Sequence, residues 1–461
     1  MKKRTFIKLS SALMTAPLFS PLTGWAADGS VTGNSAVDKL KNWAGNLEYS
    51  TQKLDAAKTL AEVQQIVKKY PKLKVLGTKH CFNNIADSKD QFISLVSAEE
   101  SIVLDEKNKT VTVNSGLKYG QLSPYLHKKG FALHNLASLP HISVAGACAT
   151  ATHGSGEKNG NLATAVAAFE LVTAKGEVLK FDKKKDGEKF NAAVVHLGAL
   201  GVVTKVTLNV EPTFMMGQYV YENLPLNELK DNFDKIEASG YSVSLFTNWS
   251  TNDITEVWLK FKTNSEKPLK RLPDNEFFGA RLANKNLHPI PELSAENCTP
   301  QMGVPGPWYE RMPHFKMGFT PSSGKELQTE YFVPRTNAVD AILAVSKLGS
   351  QITPHLLTSE IRTIAADNFW LSPCYKQDSV AIHFTWKQDW AAVSKLLPII
   401  EKELSAFNAR PHWGKLFKVS PAILEKRYAK LPEFRSLAKE LDPTGKFRND
   451  FLNLNIFPAK G

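Results

Sequence analysis

The sequence predicts an α+β protein of two domains. Three observations carry that reading. Its 461 residues exceed what one hydrophobic core comfortably serves. The first half mixes helix-period and strand-period segments without regular strand–helix alternation. After Pro212 the texture changes, becoming richer in proline and aromatic residues. The boundaries read as 1–27 for a targeting segment, 38–213 for the first domain, 214–416 for the second, and 417–461 for a tail that returns to the first.

Asn42-Trp43-Ala44-Gly45-Asn46 opens the first domain. From Ala56 to Tyr70, Leu60, Val63, Ile66 and Val67 form one stripe of an amphipathic helix. Lys74-Val75-Leu76 is a short strand running into Gly77-Thr78-Lys79-His80. Val103-Leu104 and Thr110 to Val113 alternate as paired strands about the polar turn Glu106-Lys107-Asn108-Lys109, and Tyr119 to Lys129 returns to helix. Phe169 to Phe181 reads as a hairpin turning at Ala174-Lys175-Gly176, and Gly198 to Val210 ends in an alternating strand. Loops are expected around Pro289-Ile290-Pro291 and Val304-Pro305-Gly306-Pro307, and helix from Leu416 onwards.

Composition limits the function. Hydrophobic residues make up 43% and charged residues 22%, which argues against extended disorder. The net charge of +12 includes Lys2, Lys3, Arg4 and Lys8; the other lysines lie among acids, as Lys183, Lys184 and Lys185 do between Asp182 and Asp186. Such scatter argues against a nucleic-acid-binding face. The basic start precedes an apolar stretch from Leu9 to Leu22 and the small-residue site Gly24-Trp25-Ala26, the pattern of a cleaved signal peptide, which implies a periplasmic location. Pro17 and Pro21 break the apolar stretch, so stable membrane insertion is not expected. Lys3-Arg4-Thr5-Phe6-Ile7-Lys8 resembles the twin-arginine motif of the machinery that exports folded proteins, with lysine at the first arginine; a plain secretory signal is the alternative. The cysteines Cys81, Cys148, Cys298 and Cys374 show neither a disulfide framework nor metal-site spacing, so no metal is expected.

Two segments carry the chemistry. Val75 to Asn83 is a strand followed by a glycine turn whose exposed N–H groups suit a pyrophosphate. Ser138 to Gly156 is dominated by Gly, Ala, Ser and Thr, which would let a large planar ligand approach the main chain. Gly154-Ser155-Gly156 before Gly160 has the wrong spacing for a nicotinamide site, and no βαβ unit surrounds it.

Together these segments resemble the alditol oxidase and xylitol oxidase branch of the vanillyl-alcohol oxidase type flavoproteins, and more broadly the aldonolactone oxidases. The resemblance runs from Asn42-Trp43 to Gly445-Lys446-Phe447-Arg448-Asn449-Asp450-Phe451 and includes Gly198 to Thr204. It implies an FAD-binding α+β domain, a substrate-binding cap with an antiparallel sheet, and FAD held covalently through His80. Further cofactor contacts are implied at Gly77, Thr78, Lys79, Cys81, Ser138, Ser143, Gly146, Ala147, Cys148, Ala149, Val202 and His412. Lys79 and Cys81 depart from relatives, which often carry Gly or Arg before the histidine and Ser after it.

Three strands repeat one design. Ile382, Phe384 and Trp386 point one way and His383 and Thr385 the other; Glu360 and Arg362 share a face, as do Gln328 and Glu330. Were the strands neighbours, the sheet would turn one polar face to a cleft and could grip a polyol by its hydroxyls; on pattern alone a solvated sheet explains them equally well. The resemblance implies substrate contacts at Ser138, Gln328, Glu360, Arg362, His383, Thr385 and Lys415, with Lys415, Arg362, Glu360 and His383 serving catalysis. The implied reaction oxidises a terminal hydroxyl by hydride transfer to flavin, with oxygen or a respiratory carrier as acceptor. His383, Glu360 and a lysine-bound alkoxide are all candidates for handling the hydroxyl proton. Oxidation or dehydrogenation of a sugar lactone is the alternative, and a non-catalytic periplasmic sugar-binding protein a more distant one.

Overall fold

The computed structural model describes residues 39–263, 276–318 and 325–458, and Lys39–Gly461 forms one compact unit. The expected targeting segment lies outside the described residues. No helix among them is long and apolar enough to cross a membrane.

Near the start, Leu54–Ala56, Phe92–Ser94 and Lys74–Val75 form a small parallel sheet. The predicted helix begins later than expected, at Leu60, and runs to Lys69. Thr59 sets that start: its hydroxyl accepts from Glu62 N at 3.2 Å, and Glu62 reaches back to the Thr59 N–H, a reciprocal cap. Val63 and Val67 bury the apolar stripe. Beyond lies an antiparallel sheet in the order Ile102–Asp105, Thr110–Asn114, Val202–Asn209, Val166–Val172, Val178–Asp182. Both expected hairpins are present. The small-residue segment holds a six-residue helix, Val144–Ala149, within irregular chain.

The large sheet begins at Met215. Its central strands run Met215–Pro225, Asp253–Thr263, Ser242–Thr247, Leu356–Ile364, Ser379–Lys387 and Glu326–Pro334, all antiparallel. The three strands that share the polar–apolar design are therefore neighbours. Register places Glu330 and Glu360 on either side of His383, and Gln328 and Thr358 on either side of Thr385. Because strand side chains alternate, these groups share one face. The other face buries Leu327, Tyr331, Ile382, Phe384 and Trp386 toward the helices Ala338–Ser346 and Trp390–Ser405. Asp389 caps the second helix by accepting from Ala392 N at 3.1 Å, and Val393, Leu397, Ile400 and Leu404 form its buried stripe.

The tail becomes helical at Pro421–Arg427, Leu431–Leu441 and Asp450–Asn455, a little later than the sequence suggests. Before it, the chain from Arg410 runs beside the Glu326–Pro334 strand: His412 N donates to Glu330 O at 3.0 Å and Leu416 N to Gln328 O at 2.9 Å. That pairing carries Lys415 to the polar face.

Phe384 is fully buried and stacks on Trp386 at 5.1 Å between ring centroids. Phe384→Ala is expected to lower unfolding free energy by about 3–5 kcal/mol, as large-to-small core changes of this size do, measured by urea denaturation.

Candidate functional site

One cavity of about 290 Å³ joins the glycine turn at 77–81, the small-residue segment and the polar face of the large sheet. At its first end, Leu76 and Gly77 lead into Lys79, which has φ +64°, a left-handed conformation that costs energy for a residue with a Cβ. Backbone and side-chain bonds hold the turn: Trp43 N donates to Lys79 O at 2.8 Å, Asn42 Nδ2 to Cys81 O at 3.0 Å, and Phe82 N to Gly414 O at 2.8 Å. Asn83 Nδ2 donates to Trp413 O at 2.8 Å and Lys415 O at 2.6 Å. The two ends of the cavity are thereby tied together.

The His80 ring stacks on Trp43 at 5.5 Å. Both its nitrogens are shielded from solvent and neither makes a well-formed hydrogen bond among the described residues. Burial pushes its pKa down to about 4, helped by the charges of His141 and Lys118, and the nearby Thr78 backbone offers only a weak contact that holds it up slightly. The ring is a neutral imidazole whose lone pair no other group engages. Opposite, Ser143 N donates to the Thr78 hydroxyl at 3.2 Å. A Cβ on Gly77 or Gly146 would lie 3.1 Å or 2.8 Å from Ser143 Oγ, so a side chain at either position would make that hydroxyl turn aside.

At the second end the polar groups are buried, which decides against a solvated sheet: Glu330 is 2% exposed, Glu360 5%, Arg362 6% and His383 7%. Arg362 links them. Its Nη1 donates to Ser138 Oγ at 3.1 Å and its Nη2 to Glu330 Oε1 at 2.9 Å, while Nε lies 3.4 Å from Glu360 Oε1. His314 Nε2 reaches the same Glu360 oxygen at 2.7 Å. Burial pushes the Glu360 carboxyl up, but Arg362 and His314 outweigh it and hold the group well below the usual range. Glu330 is lowered likewise, against burial, by His153 and His383. His383 Nε2 lies 3.0 Å from Thr385 Oγ1 and its Nδ1 3.6 Å from Glu330 Oε2. Burial keeps His383 below its ordinary pKa, with Lys415 adding to the effect. Lys415 donates to Gln328, which donates to Glu326.

Nearly every expected site residue meets this cavity: Gly77, Thr78, Lys79, His80, Cys81, Ser138, Ser143, Gly146, Ala147, Ala149, Gln328, Glu360, Arg362, His383, Thr385, His412 and Lys415 line it. Two expected residues, Cys148 and Val202, do not line it. Cys148 lies in the hydrophobic core, 3.7 Å from the Tyr119 hydroxyl, because its place on the short helix turns it away from the lining residues Ala147 and Ala149. Val202 packs with Leu73, Ile93, Val172 and Phe447, and it is Gly201 and Val203 that line the cavity. Strand alternation makes the difference.

Several participants carried no assigned role in the sequence reading. Glu330 had been placed on the polar face without one, yet it receives Arg362 and His153. His153 Nε2 lies 3.1 Å from Glu330 Oε1. His153, Glu330 and His412 bring three ligand-type atoms within 4.8 Å, but Glu330 is already paired with Arg362. Lys74 is fully buried beside the cavity, donating to Leu197 O, Gly198 O and Phe447 O at 3.2–3.4 Å, and burial pushes it down to about 7. Lys260 is buried behind Glu360 and is likewise pushed down to about 7, against the pull of Glu360. A lysine at an inward strand position was the available signal for both.

Similarity to known proteins accords with this geometry. Residues 52–182 match the FAD-binding domain family and 319–455 the D-arabinono-1,4-lactone oxidase family. The chain is 47% identical to the alditol oxidase of Streptomyces sp. over 89% of its own length and 97% of that protein's. The chain belongs to the alditol oxidase family. Members of the wider group are more distant: L-gulonolactone oxidase of Mus musculus is 27% identical over 90% of this chain and 97% of its own. L-gulono-1,4-lactone dehydrogenase of Mycobacterium tuberculosis is 25% identical over 90% and 99%. Cholesterol oxidase from B. sterolicum shares the fold, with TM-score 0.71 and 15% identity, covering 94% of this chain and all of that one.

This alditol oxidase family member is an FAD-dependent oxidoreductase, and its residues fit that cofactor. The shielded, neutral imidazole of His80, the close-packed glycines and the long cavity between turn and sheet are what a planar, pyrophosphate-bearing group requires.

Arg362→Met tests the ion-pair arrangement. With its folded pKa depressed, Glu360 contributes stability that is present above its unfolded value of 4.5 and is lost as pH falls. The variant is therefore expected to be about 3–5 kcal/mol less stable at pH 7, with the gap narrowing below pH 4.5, followed by urea unfolding across that range.

Proposed function

We propose that this chain oxidises the terminal hydroxyl of an alditol such as xylitol or sorbitol to the aldehyde, using FAD bonded covalently to His80. The observation that carries the reading is the buried hydrogen-bonding face that shares a cavity with His80. Glu326, Glu330, Glu360, Arg362 and Lys415 line it together with Ser138, Gln328, His383 and Thr385. A face so dense in both donors and acceptors suits a ligand made of hydroxyls. The 47% identity to an alditol oxidase supports the same substrate class.

Bound FAD supplies the acceptor for the hydride that leaves the substrate's terminal carbon. The protein's residues hold that carbon and manage the proton. Ser138, Gln328, Glu360, Arg362 and Thr385 grip the hydroxyls, and fixing the carbon in reach removes much of the entropic barrier. Glu360 is held strongly ionised and is a weak base. Of the three candidates His383 fits proton abstraction best: a neutral imidazole lining the cavity, set between the Thr385 hydroxyl and the Glu330 carboxylate, which stabilises the imidazolium once it forms. Lys415 and Arg362 stabilise the negative charge developing on the oxygen, typically by about 3 kcal/mol per well-placed donor. As the C–H bond breaks and the proton reaches His383, the C–O bond becomes a carbonyl. Molecular oxygen is the proposed final acceptor, giving hydrogen peroxide. The N-terminal segment supports export in the folded state, with the periplasm as destination.

Acid precipitation tests the attachment: flavin fluorescence is expected to stay with the wild-type polypeptide and to be lost from His80→Ala. Assays of xylitol and sorbitol beside gulono- and galactono-lactone test the substrate, and turnover of lactones alone would replace the polyol reading. Peroxide release tests the acceptor. His383 must be neutral to accept the proton, and its pKa lies below 6.5. The acid limb of the kcat/KM profile should therefore fall below pH 6.5, and His383→Gln should lower kcat by about 10²–10⁴-fold.

A further inference from the structure

Lys260, on the Asp253–Thr263 strand, is 1% exposed and is not among the residues lining the cavity. Below its pKa of about 7 Lys260 is an ammonium, with three protons and no lone pair. Three groups receive them: Met312 O at 2.6 Å, Pro313 O at 3.2 Å and His314 Nδ1 at 3.1 Å. His314 Nδ1 is thus an acceptor. Burial and the Lys260 charge push His314 down to about 4, so its imidazole is neutral and its one proton sits on Nε2. That N–H faces Glu360 Oε1 at 2.7 Å. Among the described residues Glu360 Oε2 makes no hydrogen bond, and Glu360 lines the cavity.

We propose that Lys260 and His314 are positioning residues for the reaction: the ammonium fixes the imidazole tautomer, and the Nε2–H then holds one Glu360 oxygen so that the other is presented to a substrate hydroxyl. With its proton on Nδ1 the ring would turn a lone pair toward the carboxylate and push it away. Arg362 Nε lies 3.4 Å from the same oxygen, so Glu360 Oε1 is shared by a guanidinium and an imidazole whose donor atom is chosen from behind the cavity wall. The substrate named in the test rests on the polyol reading; the tautomer does not.

The tautomer is read directly from long-range ¹H–¹⁵N correlations of histidine-labelled holoenzyme at pH 6, with His314→Gln for assignment. A bare Nδ1 and protonated Nε2 are expected; a proton on Nδ1 overturns the proposal. Kinetics supply the second measurement. His314→Leu is expected to raise KM for xylitol by about 10–100-fold, the equivalent of one lost hydrogen bond to a charged group, with kcat changed less. His314→Gln, whose amide can donate to Glu360, should recover most of that loss. Equal KM values for the two variants would mean that His314 only packs the loop, and would overturn the proposal. Lys260→Met should follow His314→Leu; if it does not yield soluble, flavin-loaded protein, the His314 pair decides. Should the wild type turn over lactones and not xylitol, the polyol reading fails, and the same KM comparison made with the lactone decides this one.

Discussion

Two carboxylates, Glu330 and Glu360, lie almost wholly buried in the wall of the cavity, with the Arg362 guanidinium between them. Neither charge could remain there alone, because desolvation of an unpaired carboxylate would drive it to take up a proton or open the structure. The guanidinium's planar fork meets Glu330, Glu360 and the Ser138 hydroxyl at once, and thereby ties the large sheet to the small-residue segment. The shape of the site follows from that contact: the sheet's polar face can be buried and still stay charged, ordered and ready to receive hydroxyls.

The polar face was legible in the sequence because strands alternate. His383 and Thr385 opposite Ile382, Phe384 and Trp386 announce two faces, and Gln328, Glu330, Glu360 and Arg362 repeat the theme. Pairing and burial were not legible. The same alternation describes a sheet washed by water, and only the neighbouring strands and the covering segment around His314 remove that ambiguity. Lys260 and His314 escaped notice for a related reason. Their roles arise from a hydrogen-bond chain between segments far apart in sequence, and no local spacing encodes it.

Around the turn at 77–81, the glycines and the histidine gave the cofactor class through resemblance, while which residues line the cavity depended on local geometry. Val202 and Val203 differ by one strand position, and that step separates a core residue from a cavity residue. Cys148 and Ala147 differ in the same way on a helix too short for periodicity to be read from sequence. The start of the first helix was missed because Thr59 and Glu62, not the apolar stripe, determine it.

The ties between Asn83 and the carbonyls of Trp413 and Lys415 bridge 330 and 332 positions of chain. Phe82 depends equally on Gly414. A nascent polypeptide still short of these residues therefore has its histidine but lacks the partners that complete the surrounding turn. Completion of the receptacle becomes a late event in biogenesis: about nine-tenths of the chain must be made before the turn around His80 has all its partners.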